Sequence, residues 1–161
     1  MRQPGQRSGA RPLRIGEPAP DFALRNQHGE TLSLSGHRGR AVVVMFYPFA
    51  FSRVCTSELG AVRDAVPDLS DVIVLAVSCD PMFTLRAFAD AEHLSFDLLS
   101  DFWPHGEVAK RYGVFDEERG CALRGTFVID TQGVLRWKGK HELPGARDLT
   151  AARQALEELL G

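Results

Sequence analysis

Cysteine is scarce in this sequence: the 161 residues contain three, Cys55, Cys79 and Cys121, and they are far apart. An odd number at wide spacing is not the pattern of a secreted disulfide framework. The sequence also has no Cys-x-x-Cys pair, which zinc sites and dithiol oxidoreductases commonly use. We therefore expect no metal site, since the histidines show no paired ligand spacing either. They are His28, His37, His93, His105 and His141.

Strong charge of either sign is also absent. The net charge is -2 and the pI is near 6.2, which argues against nucleic acid or an anionic membrane as the main partner. Residues 1–12 have no apolar core, so they are neither a secretory signal nor a membrane span. We predict a flexible N-terminal tail over residues 1–12 and one domain over residues 13–161, in which 44% hydrophobic content supplies a core. Free thiols suit a reducing cytoplasm, and we expect a cytoplasmic protein.

The apolar pattern predicts an α/β domain. Residues 41–47 and 72–77 are continuous apolar runs, typical of strands buried on both faces of a sheet. Other predicted elements are strands at 21–24 and 31–34, helices at 83–91 and 108–112, a hairpin of 125–129 with 134–138, and a helix at 149–160. This order is that of a thioredoxin-like fold: a central mixed sheet flanked by helices, with an N-terminal strand extension.

Cys55 lies where the first long strand gives way to a helix. Pro48 ends the strand, because proline has no N–H to donate and fixes its own φ. From Arg53 onward the apolar residues follow helical spacing, and Pro67 closes the run. Cys55 therefore lies in the first turn of a helix, where unpaired N–H groups and the helix dipole favour an anion. A thiol placed there is biased toward the reactive thiolate.

Pro48, Ser52 and Cys55 resemble the active-site signature of the peroxiredoxins, in which a proline is followed by threonine or serine and then by the peroxidatic cysteine. Arg124, at the start of an apolar strand, is similar to the arginine that this family requires. The match runs from about residue 15 to about residue 137. Its other landmarks are at residues 16–22, 99–101 and 112–114, and at 101–106, Asp-Phe-Trp-Pro-His-Gly, which is most similar to the one-cysteine alkyl hydroperoxide reductase E type.

The resemblance implies both a fold and an activity. The fold is again thioredoxin-like. The activity is that of a thiol-dependent peroxidase in antioxidant defence, which reduces hydrogen peroxide and organic hydroperoxides through a cysteine sulfenic acid. The resemblance further implies an external thiol reductant, either a low-molecular-weight thiol or a thioredoxin- or glutaredoxin-like protein. It implies a homodimer, and no organic cofactor.

The chemistry of peroxide reduction requires certain groups, and the candidate residues can supply them. A thiol with the ordinary pKa near 8.5 is about 3% ionised at pH 7, so full ionisation gains about thirtyfold, roughly 2 kcal/mol. Donors aimed at the peroxide oxygens must supply the rest. Arg124 offers a fixed charge and a planar fork, and Ser52 offers a hydroxyl one turn before Cys55. Pro48 would shield the pocket, and Glu58 is placed to orient Arg124.

Each candidate also has a simpler interpretation. A lone cysteine in an apolar helix is commonly an inert core residue. Ser52 is a residue that helix starts prefer as an N-cap, and Arg124 could be an ordinary solvated strand end. The motif as a whole favours the catalytic interpretation.

Three aromatic side chains near these segments have three candidate roles: lining a peroxide channel, forming a dimer contact, and packing in the core. They are Phe49, Phe51 and Trp103. We expect core packing for each of them.

Cys79 and Cys121 are the candidates for a resolving thiol, which would reduce the Cys55 sulfenic acid within the chain. Cys79 follows the strand at 72–77, at the sheet edge where helix N-termini lie, and Cys121 is expected in a loop. Neither matches a familiar arrangement, since position 60 is Gly60 and no cysteine follows Cys121. The alternative is that both are small buried residues.

Two other function classes share part of this pattern. A thioredoxin-like disulfide oxidoreductase has the same fold but needs two cysteines at the strand-to-helix turn, where this chain has Ser52 and Cys55. A non-enzymatic peroxide sensor or holdase would oxidise once and stop. Continued peroxide consumption with a thiol reductant distinguishes an enzyme from such a sensor.

Overall fold

The computed structural model describes residues 12–65, 71–140 and 150–160. The tail predicted over residues 1–12 lies outside these ranges except for its last residue, and Pro67 and His141 lie outside them too. The strands are β1 (Ala23–Arg25), β2 (Thr31–Ser33), β3 (Ala41–Phe46), β4 (Val72–Ser78), β5 (Asp97–Ser100), β6 (Phe115–Asp116), β7 (Cys121–Ala122), β8 (Gly125–Ile129) and β9 (Leu135–Lys140). The α-helices are α1 (Arg53–Ala65), α2 (Met82–Glu92), α3 (Glu107–Arg111) and α4 (Thr150–Leu160).

Seven strands form one mixed sheet in the order β2-β1-β5-β4-β3-β8-β9. The strands β3, β4 and β5 are parallel, whereas β8 is antiparallel to β3 and β9 is antiparallel to β8. The pair β1–β2 joins the sheet through β5, so the N-terminal strands extend it on that side. The strands β6 and β7 pair with each other outside this sheet.

The apolar runs that predicted β3 and β4 are buried on both faces. All six residues of β3 are buried, and their alternation divides them between two hydrophobic clusters. Val42, Val44 and Phe46 pack in one cluster, which includes residues of α3. Val43 and Met45 pack in the other, which includes residues of α1, α2 and α4. Helices therefore cover both faces of the sheet, as continuous apolar strands require.

The helix boundaries have local causes. α2 follows Pro81 and ends at Glu92. The next residue, His93, has a φ of 55°, the left-handed conformation in which many α-helices terminate. α3 begins where the Asp101 carboxylate accepts hydrogen bonds from the backbone N–H groups of Val108 and Ala109, at 3.1 and 2.9 Å. None of the helices in the described ranges is long and apolar enough to cross a membrane.

Three strands were not predicted from the sequence: β5, β6 and β7. β5 has four residues and the other two have two each, so none is long enough to show a period. The expectation that Cys121 lies in a loop is therefore wrong, because it is the first residue of β7 and pairs with Asp116. The remaining predicted elements are all present at nearly the predicted positions.

Three segments that carry candidate site residues meet at one edge of the sheet. Phe46, the last residue of β3, pairs with Gly125, the first residue of β8, and with Val77 near the end of β4. The loop after β3, the segment after β4 and the segment before β8 therefore lie side by side. We call this edge the Cys55 edge.

Candidate active site

The loop between β3 and α1 follows the predicted change from strand to helix. Tyr47 still donates its N–H to the carbonyl of Val77 at 3.0 Å, and Pro48 follows it, half-buried. α1 begins at Arg53. Cys55 is therefore in the first turn of α1, as the sequence predicts.

Ser52 caps the helix that carries Cys55. The backbone N–H of Cys55 donates to the Ser52 hydroxyl oxygen at 3.3 Å, and the N–H of Thr56 donates to the Ser52 carbonyl at 2.9 Å. Cys55 itself is 2% exposed and packs in the cluster beneath α1 and α2. Because the Ser52 oxygen accepts from the helix, its own hydrogen is available for donation to another group. One residue can therefore both cap the helix and act as a donor.

The turn before Ser52 has an unusual backbone. Phe51 has a φ of 70°, in the left-handed region that residues other than glycine seldom adopt. The N–H of Ser52 donates to the carbonyl of Phe49 at 3.4 Å, and a positive φ at the third residue is typical of a type II turn. The Phe51 ring packs on Phe88 of α2, with 5.0 Å between ring centroids. Such a backbone persists only when surrounding contacts hold it.

Arg124 stands directly before β8 and forms an ion pair with α1. Its Nη2 donates to the Oε1 atom of Glu58. The Arg124 and Glu58 side chains are 11% and 2% exposed, so the pair is almost completely removed from solvent. Glu58 lies one helical turn after Cys55, and the ion pair therefore holds the guanidinium against the helix that carries the thiol.

Asp80, which no sequence motif indicates, contacts the same loop. Its Oδ2 atom accepts hydrogen bonds from the N–H of Ala50 at 2.8 Å and from the hydroxyl of Ser78 at 2.7 Å. Ala50 lies midway between Pro48 and Ser52. Thirty residues separate Ala50 from Asp80, so no local spacing could have related them. A polar residue just beyond a doubly buried strand is the one available sequence signal.

Cys79 and Cys121 are buried free thiols, as is Cys55. Cys79 belongs to the hydrophobic cluster on the face of the sheet opposite the cluster that contains Cys55. Burial, together with the charge of Asp101, raises the pKa of Cys79 to about 12, and burial also raises the pKa of Cys121. Cys79 therefore lies at the Cys55 edge, as predicted, but faces away from Cys55. Both additional thiols are protonated near neutral pH.

The expectation that Phe49, Phe51 and Trp103 pack in the core is wrong. Their exposed fractions are 45%, 54% and 81%. Trp103 also lines a surface hollow together with Phe83 and Phe102, which are exposed as well. We call Phe83, Phe102 and Trp103 the aromatic patch. The described part of the chain leaves it uncovered.

The Cys55 edge thus combines a thiol and a hydroxyl from one segment with a guanidinium from another. In the ranges that the structure describes, no three His, Cys, Asp or Glu side chains converge as metal ligands. The thiol offers a nucleophile, and Ser52 and Arg124 offer hydrogen-bond donors of two kinds, one neutral and one charged. This combination suits attack on an electrophilic oxygen that becomes negatively charged as its bond breaks.

Comparisons with known sequences show which proteins the chain is similar to. The model of the AhpC/TSA family matches residues 15–138. Alkyl hydroperoxide reductase E of Mycobacterium tuberculosis is 41% identical over 150 residues, which cover 91% of this chain and 98% of that protein. Peroxiredoxin-2 of Rattus norvegicus is 35% identical over 155 residues, which cover 89% of this chain and 77% of that protein.

Solved structures show the same fold. The crystal structure of Enterococcus faecalis AhpC superposes with a TM-score of 0.83 at 26% identity, covering 91% of this chain and 92% of that one. Peroxidoxin BcpB from Mycobacterium tuberculosis superposes with a TM-score of 0.80 at 30% identity, covering 92% and 97%. The predicted thioredoxin-like fold is confirmed, and so is the resemblance read from the motifs.

Proposed function

The chain belongs to the AhpC/TSA family and is a thiol-dependent peroxidase, and on this basis we propose that Cys55 is the residue that attacks the hydroperoxide. The observation that carries this assignment is the ion pair that holds Arg124 on α1, one turn beyond Cys55. Ser52 adds a cap hydroxyl on the other side of Cys55. Cys79 has no such surroundings, and its raised pKa keeps it a poor nucleophile.

In the proposed reaction, the Cys55 thiolate attacks one peroxide oxygen in line with the O–O bond. An S–O bond forms as the O–O bond breaks, and the departing oxygen takes a proton to become an alcohol or water. Cys55 is thereby oxidised to the sulfenic acid. One external thiol then displaces water from the sulfenic sulfur, and a second thiol reduces the mixed disulfide and restores the Cys55 thiol.

Arg124, Ser52 and Pro48 have distinct roles in this proposal. Arg124 stabilises the thiolate through its charge and the transition state through its N–H groups. The Ser52 hydroxyl oxygen accepts a hydrogen bond from the Cys55 N–H, and the same hydroxyl donates its hydrogen to the peroxide. Pro48, half-buried in the loop after β3, limits water around Cys55. Glu58 orients the guanidinium and is a positioning residue.

The reductant in this proposal is an external thiol, and the packing of Cys79 supports this choice. Cys79 faces the opposite cluster, and Cys121 is held in the β6–β7 pair. Either a low-molecular-weight thiol or a thioredoxin- or glutaredoxin-like protein could serve. The three free thiols favour a cytoplasmic location.

A homodimer completes the proposal. The aromatic patch exposes three large apolar side chains in one hollow, and contiguous apolar surface of this kind marks interaction sites. Aromatic side chains are also enriched at the centres of protein interfaces.

Stopped-flow oxidation of three variants tests the assignment of Cys55. Cys55→Ser should abolish the rapid single-turnover reaction with peroxide, because serine lacks the nucleophilic sulfur. Cys79→Ser and Cys121→Ser, the matched controls, should retain it. Intrinsic fluorescence from Trp103 and Trp137 follows the reaction, and peptide mass spectrometry locates the oxidised residue. Rapid oxidation that persists in Cys55→Ser would refute the assignment.

A further inference from the structure

Asp80 lies just beyond β4 and is fixed to the sheet. Its N–H donates to the Ser78 hydroxyl oxygen at 3.3 Å, and its carbonyl accepts a hydrogen bond from the Ser100 hydroxyl at 2.7 Å. Ser78 and Ser100 are themselves paired across the parallel strands β4 and β5. The Asp80 carboxylate is therefore attached to a rigid part of the molecule.

The same carboxylate holds the turn that precedes Cys55. Its Oδ2 atom accepts the N–H of Ala50 at 2.8 Å, and Ala50 is the residue before Phe51. Phe51 has the positive φ that side-chain-bearing residues disfavour, so the turn needs an external contact to persist. Hydrogen bonds to a carboxylate are among the stronger ones available in proteins.

From these contacts we infer that Asp80 is a positioning residue for the peroxidase reaction. It holds the turn in place through Ala50, so that Ser52 and Pro48 keep their positions around Cys55. Asp80 does not touch the reacting atoms, and the inference rests on the proposed role of Cys55. Without this anchor the Ser52 cap is weakened and the first turn of α1 frays. The thiol then becomes accessible but loses its alignment with the donors.

Two reagents whose reactions with Cys55 depend on different features of the site test this inference. Oxidation by hydrogen peroxide needs the donors in position, whereas alkylation by iodoacetamide needs only an accessible thiolate. Asp80→Ala in the full chain should slow single-turnover oxidation at its high-pH plateau by about tenfold or more. The same variant should speed alkylation severalfold. Peptide mass spectrometry measures both reactions at Cys55.

Asp80→Asn separates the hydrogen bond from the charge. The asparagine side chain keeps one oxygen that can accept the Ala50 N–H. Both rates should therefore stay within about threefold of wild type. A loss equal to that of Asp80→Ala would show that anchoring by hydrogen bonding is not the role of this residue.

Ala50→Pro removes the donor instead of the acceptor. Proline is favoured at the second position of a type II turn, and it deletes the N–H while its ring displaces the Asp80 carboxylate from that position. It should reproduce both rate changes, and it tests the inference independently if Asp80→Ala does not fold. The double variant should be no slower than the slower single variant, because both changes break the same hydrogen bond between Ala50 and Asp80.

Asp130→Ala is the matched control. The Asp130 carboxylate accepts the N–H groups of Gln132 and Val134 at 2.9 Å each, in the turn between β8 and β9. Its loss should lower the thermal midpoint and leave both Cys55 rates unchanged. Unchanged oxidation in Asp80→Ala, a fall in both of its rates, or additive effects in the double variant would overturn the inference. Failure of the proposed function is distinguishable, since wild-type oxidation would then occur away from Cys55.

Discussion

The ion pair between Arg124 and Glu58 is costly to break. Both side chains are almost completely buried, and removal of one partner breaks a buried charge pair. Such losses typically destabilise a protein by about 3–5 kcal/mol. An effect of Arg124 on the reaction must therefore be separated from its effect on folding.

The pH dependence of the oxidation rate achieves this separation. In folded Arg124→Ala protein, the rate of the fully ionised thiolate should fall by more than about tenfold, or about 1.4 kcal/mol. The reason is that the lost N–H groups act on the departing oxygen, and above the pKa of the thiol no further change in ionisation can compensate. Stopped-flow rates across pH in wild type and variant measure the plateau.

Two further arginine variants make the measurement specific. Arg124→Lys keeps a charge but loses the planar fork, so its plateau should lie between wild type and Arg124→Ala. Arg136→Ala removes an arginine from the half-exposed ion pair with Asp130 and should leave the plateau unchanged. Equal plateaus in wild type and Arg124→Ala would restrict Arg124 to a role in ionisation.

The sequence indicates those site residues that lie close together along the chain. It does not indicate those that only the folded structure brings together. The proline, serine and cysteine of the site share one eight-residue segment, so their pattern is visible in the sequence. Arg124 needs the family resemblance, because a single arginine before a strand has no distinctive spacing. Asp80 has neither signal, since its contact with Ala50 exists only after β3 and β4 have paired.

Among the elements, the first turn of α1 bears on how the Cys55 sulfenic acid of the proposed reaction would be resolved. A disulfide between Cys55 and Cys79 would have to join two thiols that face opposite sides of the sheet. Side chains that point apart cannot be bridged without backbone movement, so we expect that turn to unwind before this disulfide can form. One equivalent of peroxide without reductant should therefore yield a sulfenic acid at Cys55, with Cys79 and Cys121 still reduced.

Thiol alkylation followed by intact-mass and peptide mass spectrometry measures this outcome. The variants Cys79→Ser and Cys121→Ser should give the same amount of trappable sulfenic acid as wild type. A Cys55–Cys79 or Cys55–Cys121 crosslink within one chain would show that the enzyme resolves Cys55 internally.

Element prediction succeeded where the signal was long and uniform. β3 and β4 are continuous apolar runs, and both proved to be buried strands. Only two of the four residues of β5 are buried, and β6 and β7 are defined by their pairing with each other. None of these strands therefore has a pattern that the sequence could show. The exposure of Phe49 and Trp103 also escaped prediction, because hydrophobicity alone does not distinguish a core from an interface.

For the whole molecule, the aromatic patch predicts association. Stable interfaces bury about 800 Å² per partner, more than three side chains supply, so the patch would form the apolar centre of a larger contact. Wild type should be a dimer by sedimentation or light scattering. The double variant Phe83→Ala/Trp103→Ala should shift it toward monomer, because it removes the two most exposed members of the patch.

Ile15→Ser is a matched control for this prediction. Ile15 is an exposed apolar residue outside the patch, and its replacement should leave the dimer intact. A monomeric wild type, or a double variant that dimerises as tightly as wild type, would contradict a role for the patch in association.

The direction of β8 has a practical consequence. Arg124 precedes this strand at the Cys55 edge, and the exposed residues Thr131 and Gln132 follow its other end. Five residues of strand separate the two ends, about 17 Å of rigid backbone. Exposed turn tips tolerate inserted sequence well. A fluorescent reporter domain inserted between Thr131 and Gln132 would therefore be joined to the Cys55 edge by a rigid strand. This makes the turn between β8 and β9 a suitable insertion point for a genetically encoded biosensor.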